Sequence, residues 1–256
     1  MNNITKKEPR EVYRDTHTPS QIAERLDAGP DAVYLKDFIY GAIDGAVTTF
    51  AVVAGVAGAG LSSGVIIVLG FANLLADGFS MAASNYLGTR AENDLRDKAR
   101  QREIDEIIKY PKGEREEVRQ IYSRKGFEGE LLEQVVEVIT ADRKLWVDVM
   151  LQDEHGMTLE ASDPLKGGMA TFVAFCVVGL IPLVPYLFNW FVADGIANPF
   201  LWSSAMTAIA FVLVGAGKAR FIEMSWYKAS LETLLIGGGA AVLAYGAGVL
   251  LKGVVG

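Results

Sequence analysis

Long apolar runs alternate with strongly polar stretches along this chain. Five runs approach the roughly 20 apolar residues that a bilayer-spanning helix needs. They are "FIYGAIDGAVTTFAVVAGVAGAG" (38–60), "GVIIVLGFANLLADGFSMAASNYL" (64–87), "GGMATFVAFCVVGLIPLVPYLFNWFV" (167–192), "FLWSSAMTAIAFVLVGAG" (200–217) and "LETLLIGGGAAVLAYGAGVLL" (231–251). Between the second and third runs lies a long polar insert. It opens helically, "RAENDLRDKARQREIDEIIKYP", with no Gly or Pro before Pro111. The second span should therefore run straight into it. Downstream, "FEGELLEQVVEVIT" carries an apolar stripe at Leu131, Leu132, Val135, Val136 and Ile139, the spacing of an amphipathic helix. A last helix follows in "DRKLWVDVMLQDEHG".

The pattern predicts an all-α integral membrane protein with five transmembrane helices and a helical cytosolic insert between helices 2 and 3. Its expected parts are a cytosolic N-terminal segment (1–37), helices 1–2 (38–90), an acidic helical domain (91–165) and helices 3–5 (166–256). Pro182 and Pro185 should kink the third span, because each removes a helical donor. Gly- and Ala-rich stretches such as "AGVAGAG" let helix backbones approach closely in lipid.

Charge sets the expected orientation. The 61–63 and 193–199 links hold no Lys or Arg, while Lys36, Arg90, Lys166, Lys218, Arg220 and Lys228 lie on the opposite side. Basic residues favour the cytosolic face, so the N-terminus and the insert are expected there. Residues 1–37 lack the apolar core of a secretory signal. Trp190, Trp202 and Trp226 fall near span ends, where interfacial aromatics collect.

Composition narrows the chemistry. The chain is 51% hydrophobic yet 21% charged, with a net charge of −7, which argues against nucleic acid as a partner. Its one cysteine, Cys176, lies in an apolar run and reads as a packing residue. No phosphate loop or nucleotide fingerprint is present, so ATP-driven pumping has no support.

Away from the span ends, two carboxylates interrupt the apolar runs. Asp44 lies early in the first and Asp77 in the second. Such groups are costly in lipid and face a bundle interior or an ion path. Asn73, Asp77 and Met81 recur every four residues and share a helix face, as do Asp44 and Thr48. The short 61–63 link makes the two spans antiparallel neighbours, which brings Asp44 and Met81 to similar depth. A carboxylate with a thioether suits a first-row divalent metal better than calcium. Met81 also reads as a gap-filler, and Asp77 as a tie between helices. A carboxyl group can hold either a proton or a cation, which is the minimal chemistry of an antiporter.

The insert adds Glu103 and Glu106, then Glu114 and Glu117, each pair three residues apart, and Met150 with Glu154 on one face. Singly, such pairs are ordinary solvated surface. Together they can close around metal ions. His155 lies off the Met150/Glu154 face and reads as a cap or surface residue. The Glu-x-x-His pattern of di-iron bundles is absent.

From Tyr34 onward the chain resembles the vacuolar iron transporters of plants, fungi and protists and their bacterial relatives. The resemblance rests on "DGAVTTFAVVAGVAGAGLS", "GFANLLADGFSMAASNYL" and the insert pattern of Glu103, Glu106, Glu114, Glu117, Met150 and Glu154. It implies a homodimer in the lipid bilayer with a metal path between the two first spans. Asp44 and Met81 would lie on that path, and the insert glutamates and Met150 would bind divalent metal. It implies export of ferrous iron from the cytosol, coupled to protons as counter-ion, through a non-enzymatic protein with no prosthetic group. Mn2+, Co2+ and Zn2+ are alternative substrates. The membrane is either a bacterial inner membrane or a vacuolar membrane. One departure is Leu151, where a second Met often follows Met150. The rival readings are a manganese-preferring transporter and a membrane-anchored iron-binding or iron-oxidising protein that does not transport.

Overall fold

The computed structural model describes residues 17–28, 34–192, 195–220, 222 and 224–255, and every regular element among them is helical. The chain divides into two units, Met1–Val33 and Tyr34–Gly256. Helix α1 (Pro19–Ala28) belongs to the first. The Thr18 hydroxyl, just before Pro19, donates to the Gln21 side chain at 3.1 Å, a local contact typical of a helix start. The rest of the expected N-terminal segment, residues 1–16 and 29–33, lies outside the described residues.

The second unit begins with α2 (Tyr34–Ala59) and α3 (Ser63–Lys109). The insert continues with α4 (Pro111–Arg124), α5 (Gly129–Ala141) and α6 (Arg143–Asp153). Next come α7 (Pro164–Gly179), a short 3₁₀ turn (Ile181–Leu183), α8 (Val184–Phe191), α9 (Pro199–Ala219) and α10 (Trp226–Val255). Five helices are long and apolar enough to cross a bilayer, with α7 through α8 counted as one span. The protein is thus an all-α, multi-pass integral membrane protein.

Helix α2 is the hub, packed by α7, α10, α3 and α9. Lipid gives no hydrophobic drive for helix association, so closeness of packing decides the contacts. The side chains of α2 explain its position. Gly41, Ala42, Gly45 and Ala46 are all buried. A methyl group on Gly45 would overlap the Phe175 carbonyl oxygen on α7, and one on Gly179 would lie 2.7 Å from the Gly45 carbonyl oxygen. Absent side chains on both helices therefore set the α2–α7 separation. Deeper along the interface, Phe50, Val53, Leu74, Phe175, Leu183 and Tyr186 form an apolar core.

The third span does not merely kink. It ends as α-helix at Gly179, tightens to 3₁₀ at Ile181–Leu183 and restarts at Val184. Pro182 and Pro185 each lack the N–H needed to continue the ladder. The freed Pro182 carbonyl accepts a hydrogen bond from Ser203 Oγ on α9 at 2.6 Å, as a backbone group in lipid requires.

Helix α3 is 47 residues long, roughly 70 Å at 1.5 Å per residue. Its first half turns Val68, Phe71, Leu75 and Phe79 outward, as lipid contact demands. Charged residues dominate from Arg90, with no break at the expected 90/91 boundary. One continuous helix therefore joins the membrane bundle to the insert.

The insert has a core of a water-soluble kind, built from Ile107, Val118, Leu132, Val136, Ile139, Trp146, Met150 and Leu151. Burying such a side chain contributes roughly 1.5–3 kcal/mol. Of the predicted stripe, Leu132, Val136 and Ile139 face inward, while Leu131 is 56% exposed, because it falls at the edge of the helical face. Arg100 ties α3 to α6 through Asp148 at 2.8 Å. Arg96 and Asn93 donate to the carbonyls of Glu160 and Ser162 at 2.7 and 2.8 Å, which holds the returning chain against α3.

Candidate metal path and carboxylate cluster

The membrane site is built by the α2–α3 pair. Gly60, with φ +73°, turns the chain between them, a conformation that suits glycine. Asn73 Nδ2 donates to the hydroxyls of Thr48 and Thr49, both at 3.2 Å. Thr48 Oγ1 donates in turn to the Asp44 carbonyl at 2.8 Å. Asp44 is half-buried and Asp77 exposed, within electrostatic reach of each other. Met81 is half-buried and packs against the apolar core. The structure thus joins Asn73 to Thr48, with Asp77 and Met81 one and two turns further along α3.

A second polar junction escaped the sequence reading. Asn85 Nδ2 donates to Asp37 Oδ1 at 2.8 Å and to Thr171 Oγ1 at 3.1 Å, so one amide links α3, α2 and α7. Its signal was present: Asn85 is the next member of the series Asn73, Asp77, Met81.

The insert cluster is assembled by chain reversals. Glu103 and Glu106 sit in the last turns of α3. Tyr110 leaves the helical conformation (φ −140°, ψ 56°), and Pro111 opens α4, where its missing N–H costs nothing. Glu114 thereby returns to face α3. From the other side comes the end of α6. Asp142 caps that helix by accepting from the backbone N–H groups of Lys144 and Leu145, and Gly156 (φ +64°) turns the chain beyond it.

The result is two overlapping groups. Carboxylate oxygens of Glu103, Glu106 and Glu114 lie within 4.8 Å of one another, and so do donor atoms of Glu103, Glu154 and His155. Glu103 is 1% exposed and Glu114 5% exposed. Each keeps one oxygen, Oε2, buried without a hydrogen-bond partner. Unpaired buried carboxylate oxygens are expensive, and a divalent cation would satisfy them. Glu106 forms an ion pair with Arg102 at 3.0 Å. Glu117 is exposed, but its charge is felt by Glu114 and Glu154.

Electrostatics record the same crowding. Burial, followed by the charges of Glu117, Glu103, Glu106 and Glu154, pushes the Glu114 carboxyl up to about 7. Burial, with Glu103 and Glu117, also raises Glu154, against opposing pulls from His155 and Arg102. Like charges at this spacing favour either protonation or a bound cation. Met150 is fully buried in the insert core, as is Leu151. His155 corrects the surface reading: its Nε2 lies 2.8 Å from Glu103 Oε1.

Known proteins are similar to this chain over most of its length. A sequence model of the VIT family matches residues 35–249. The vacuolar iron transporter of Toxoplasma gondii is 34% identical over 230 residues, which cover 87% of this chain and 76% of that protein. That of Plasmodium berghei is 32% identical over 249 residues, 95% of this chain and 90% of that protein. Vacuolar iron transporter 1 of Eucalyptus grandis is 33% identical over 215 residues, 83% of this chain and 84% of that protein. Each is named as a transporter rather than an enzyme. With the five spans, the insert and these matches together, the chain belongs to the VIT family.

Proposed function

We propose that this protein transports iron across its membrane, taking ferrous iron from the cytosol and exchanging it for protons. The observation that carries the reading is the pair of buried, unpartnered oxygens on Glu103 and Glu114, beside a helix that continues into the membrane. From Glu103 to Met81 along α3 is roughly 33 Å by helical rise. Metal would be gathered by Glu103, Glu106, Glu114, Glu117, Glu154 and Met150, then pass to Met81 and Asp44. Asn73 and Thr48 would hold the first two spans in register around that step, with Asp77 adding negative charge. A proton on a path carboxylate would leave as metal binds and return once it departs, so the two cargoes move in opposite directions.

A homodimer belongs to this reading. Asp44, Thr48 and Ala51 form a stripe of half-exposed positions on α2. A carboxylate facing lipid is costly, and a second copy would cover the stripe and enclose the path. The insert and the N-terminus would lie in the cytosol, on the side of the basic flanks. A manganese preference is the second reading, because an oxygen-rich cluster suits that ion as well.

The test is ion flux in proteoliposomes loaded with a pH dye, with Fe2+ and Mn2+ compared. Metal entry with opposing proton movement, lost in Asp44→Ala, is the expected result. Metal bound by the protein without flux would move it to the non-transporting class.

A further inference from the structure

We infer that His155 is a metal ligand, a nitrogen donor that completes a second subsite with Glu103 and Glu154. This rests on the proposed metal-gathering role of the insert and names a donor beyond its carboxylates and thioether. His155 Nε2 stands 2.8 Å from Glu103 Oε1 and 4.0 Å from Glu154 Oε2. Donors that share one first-row ion at about 2.1 Å stand about 3.0–3.4 Å apart, so these two separations bracket the bound geometry. Glu103 is buried and its second oxygen lacks any partner. It also belongs to the group with Glu106 and Glu114. One carboxylate can therefore serve an all-oxygen subsite with one oxygen and a mixed oxygen–nitrogen subsite with the other.

The imidazole does not reach this position by accident of exposure. Its side chain is 21% exposed, and the ring nitrogen points at carboxylates rather than at water. The Gly156 turn holds it there, because Met157 N donates to the Leu151 carbonyl at 2.9 Å beyond the end of α6. A neutral imidazole keeps one lone pair for a metal and one N–H for a neighbour. Nitrogen donors select transition metals over magnesium and calcium. That restores the softness which Leu151, buried in the apolar core, does not supply.

The test uses the full chain in detergent with Mn2+ as the probe and pulsed electron paramagnetic resonance as the readout. The chain has two histidines, His17 and His155, so the His17→Gln protein isolates the second. Growth with histidine carrying the heavy nitrogen isotope marks its ring without altering the fold. The expected result is a directly bonded histidine nitrogen on Mn2+ in His17→Gln, lost in His155→Gln with affinity at least about tenfold weaker. Bound Mn2+ without that nitrogen overturns the inference and leaves the carboxylate site standing. Weaker binding in His155→Gln without a bonded nitrogen in His17→Gln also overturns it, since His155 would then act only by orienting Glu103. Absence of Mn2+ binding altogether removes both this inference and the metal-gathering role.

Discussion

Asn85 donates to Asp37 Oδ1 at 2.8 Å, and three turns earlier on the same helix Asn73 donates to Thr48 Oγ1 at 3.2 Å. Between these two clasps lie Asp77 and Met81 on α3 and Asp44 on α2. As numbering rises along one helix it falls by nearly the same amount along the other, which antiparallel neighbours require. The polar face of α3 is thus pinned to α2 at both ends.

Removal of one clasp should loosen this register. Asn85→Ala takes the donor from Asp37 and Thr171 together. Interhelical hydrogen bonds in membranes are worth about 1 kcal/mol, so the expected loss is of that order. Thermal unfolding in detergent measures it, and metal binding by the insert should not change. An unaltered midpoint would show that packing alone sets the register.

Gly45 offers a sharper test of packing. A methyl group there meets the backbone of α7 at Phe175, which cannot rotate away as a side chain can. Gly45→Ala should cost about 1–3 kcal/mol, the usual range for overpacking. Gly217, where an added methyl meets nothing within 4 Å, is the matched comparison. Gly217→Ala should leave the midpoint unchanged or raise it slightly, since alanine favours a helix.

Flux and binding should separate at Asp44. Under the proposed mechanism, Asp44→Ala abolishes metal movement in proteoliposomes, while calorimetric titration still detects metal at the insert. Glu103→Gln should do the reverse in part: weaker binding, with slower flux at low metal and recovery at high metal.

The insert should also respond to pH. The Glu114 carboxyl is raised from 4.5 to about 7, so its protonated form is favoured in the fold. Its stabilising contribution is complete below pH 4.5, declines as pH rises, and is lost above about pH 7. In metal-free protein held with a chelator, wild type should lose thermal stability relative to Glu114→Gln across that window. Metal replaces the proton, so apparent metal affinity should rise over the same range. A constant difference between the two proteins from pH 4.5 to 7 would remove Glu114 from the coupling.

Much of this was legible along the chain. Five spans could be located because lipid demands about 20 apolar residues in succession, a local property that needs no partner. The continuity of α3 followed from the lack of Gly or Pro between Arg90 and Pro111, and a kink in the third span from Pro182 and Pro185, although the structure breaks that span rather than bending it. Four-residue spacing placed Asn73, Asp77 and Met81 on one face, and a three-residue link brought that face to Thr48 and Asp44. In each case the information lay within a few turns of helix.

Only the tertiary structure could decide what the helix ends do. His155 looked peripheral by helical-face logic, yet α6 stops at Asp153 and the chain is turned at Gly156, so face logic no longer applied. Its partner Glu103 lies 52 residues away. The contact of Asn85 with Thr171 spans 86 residues, and the α2–α7 approach at Gly45 and Phe175 is more remote still in sequence. Periodicity encodes which side of a helix is wet or dry. Which dry side meets which neighbour, and how closely, depends on side-chain volumes from distant segments that meet only in the fold.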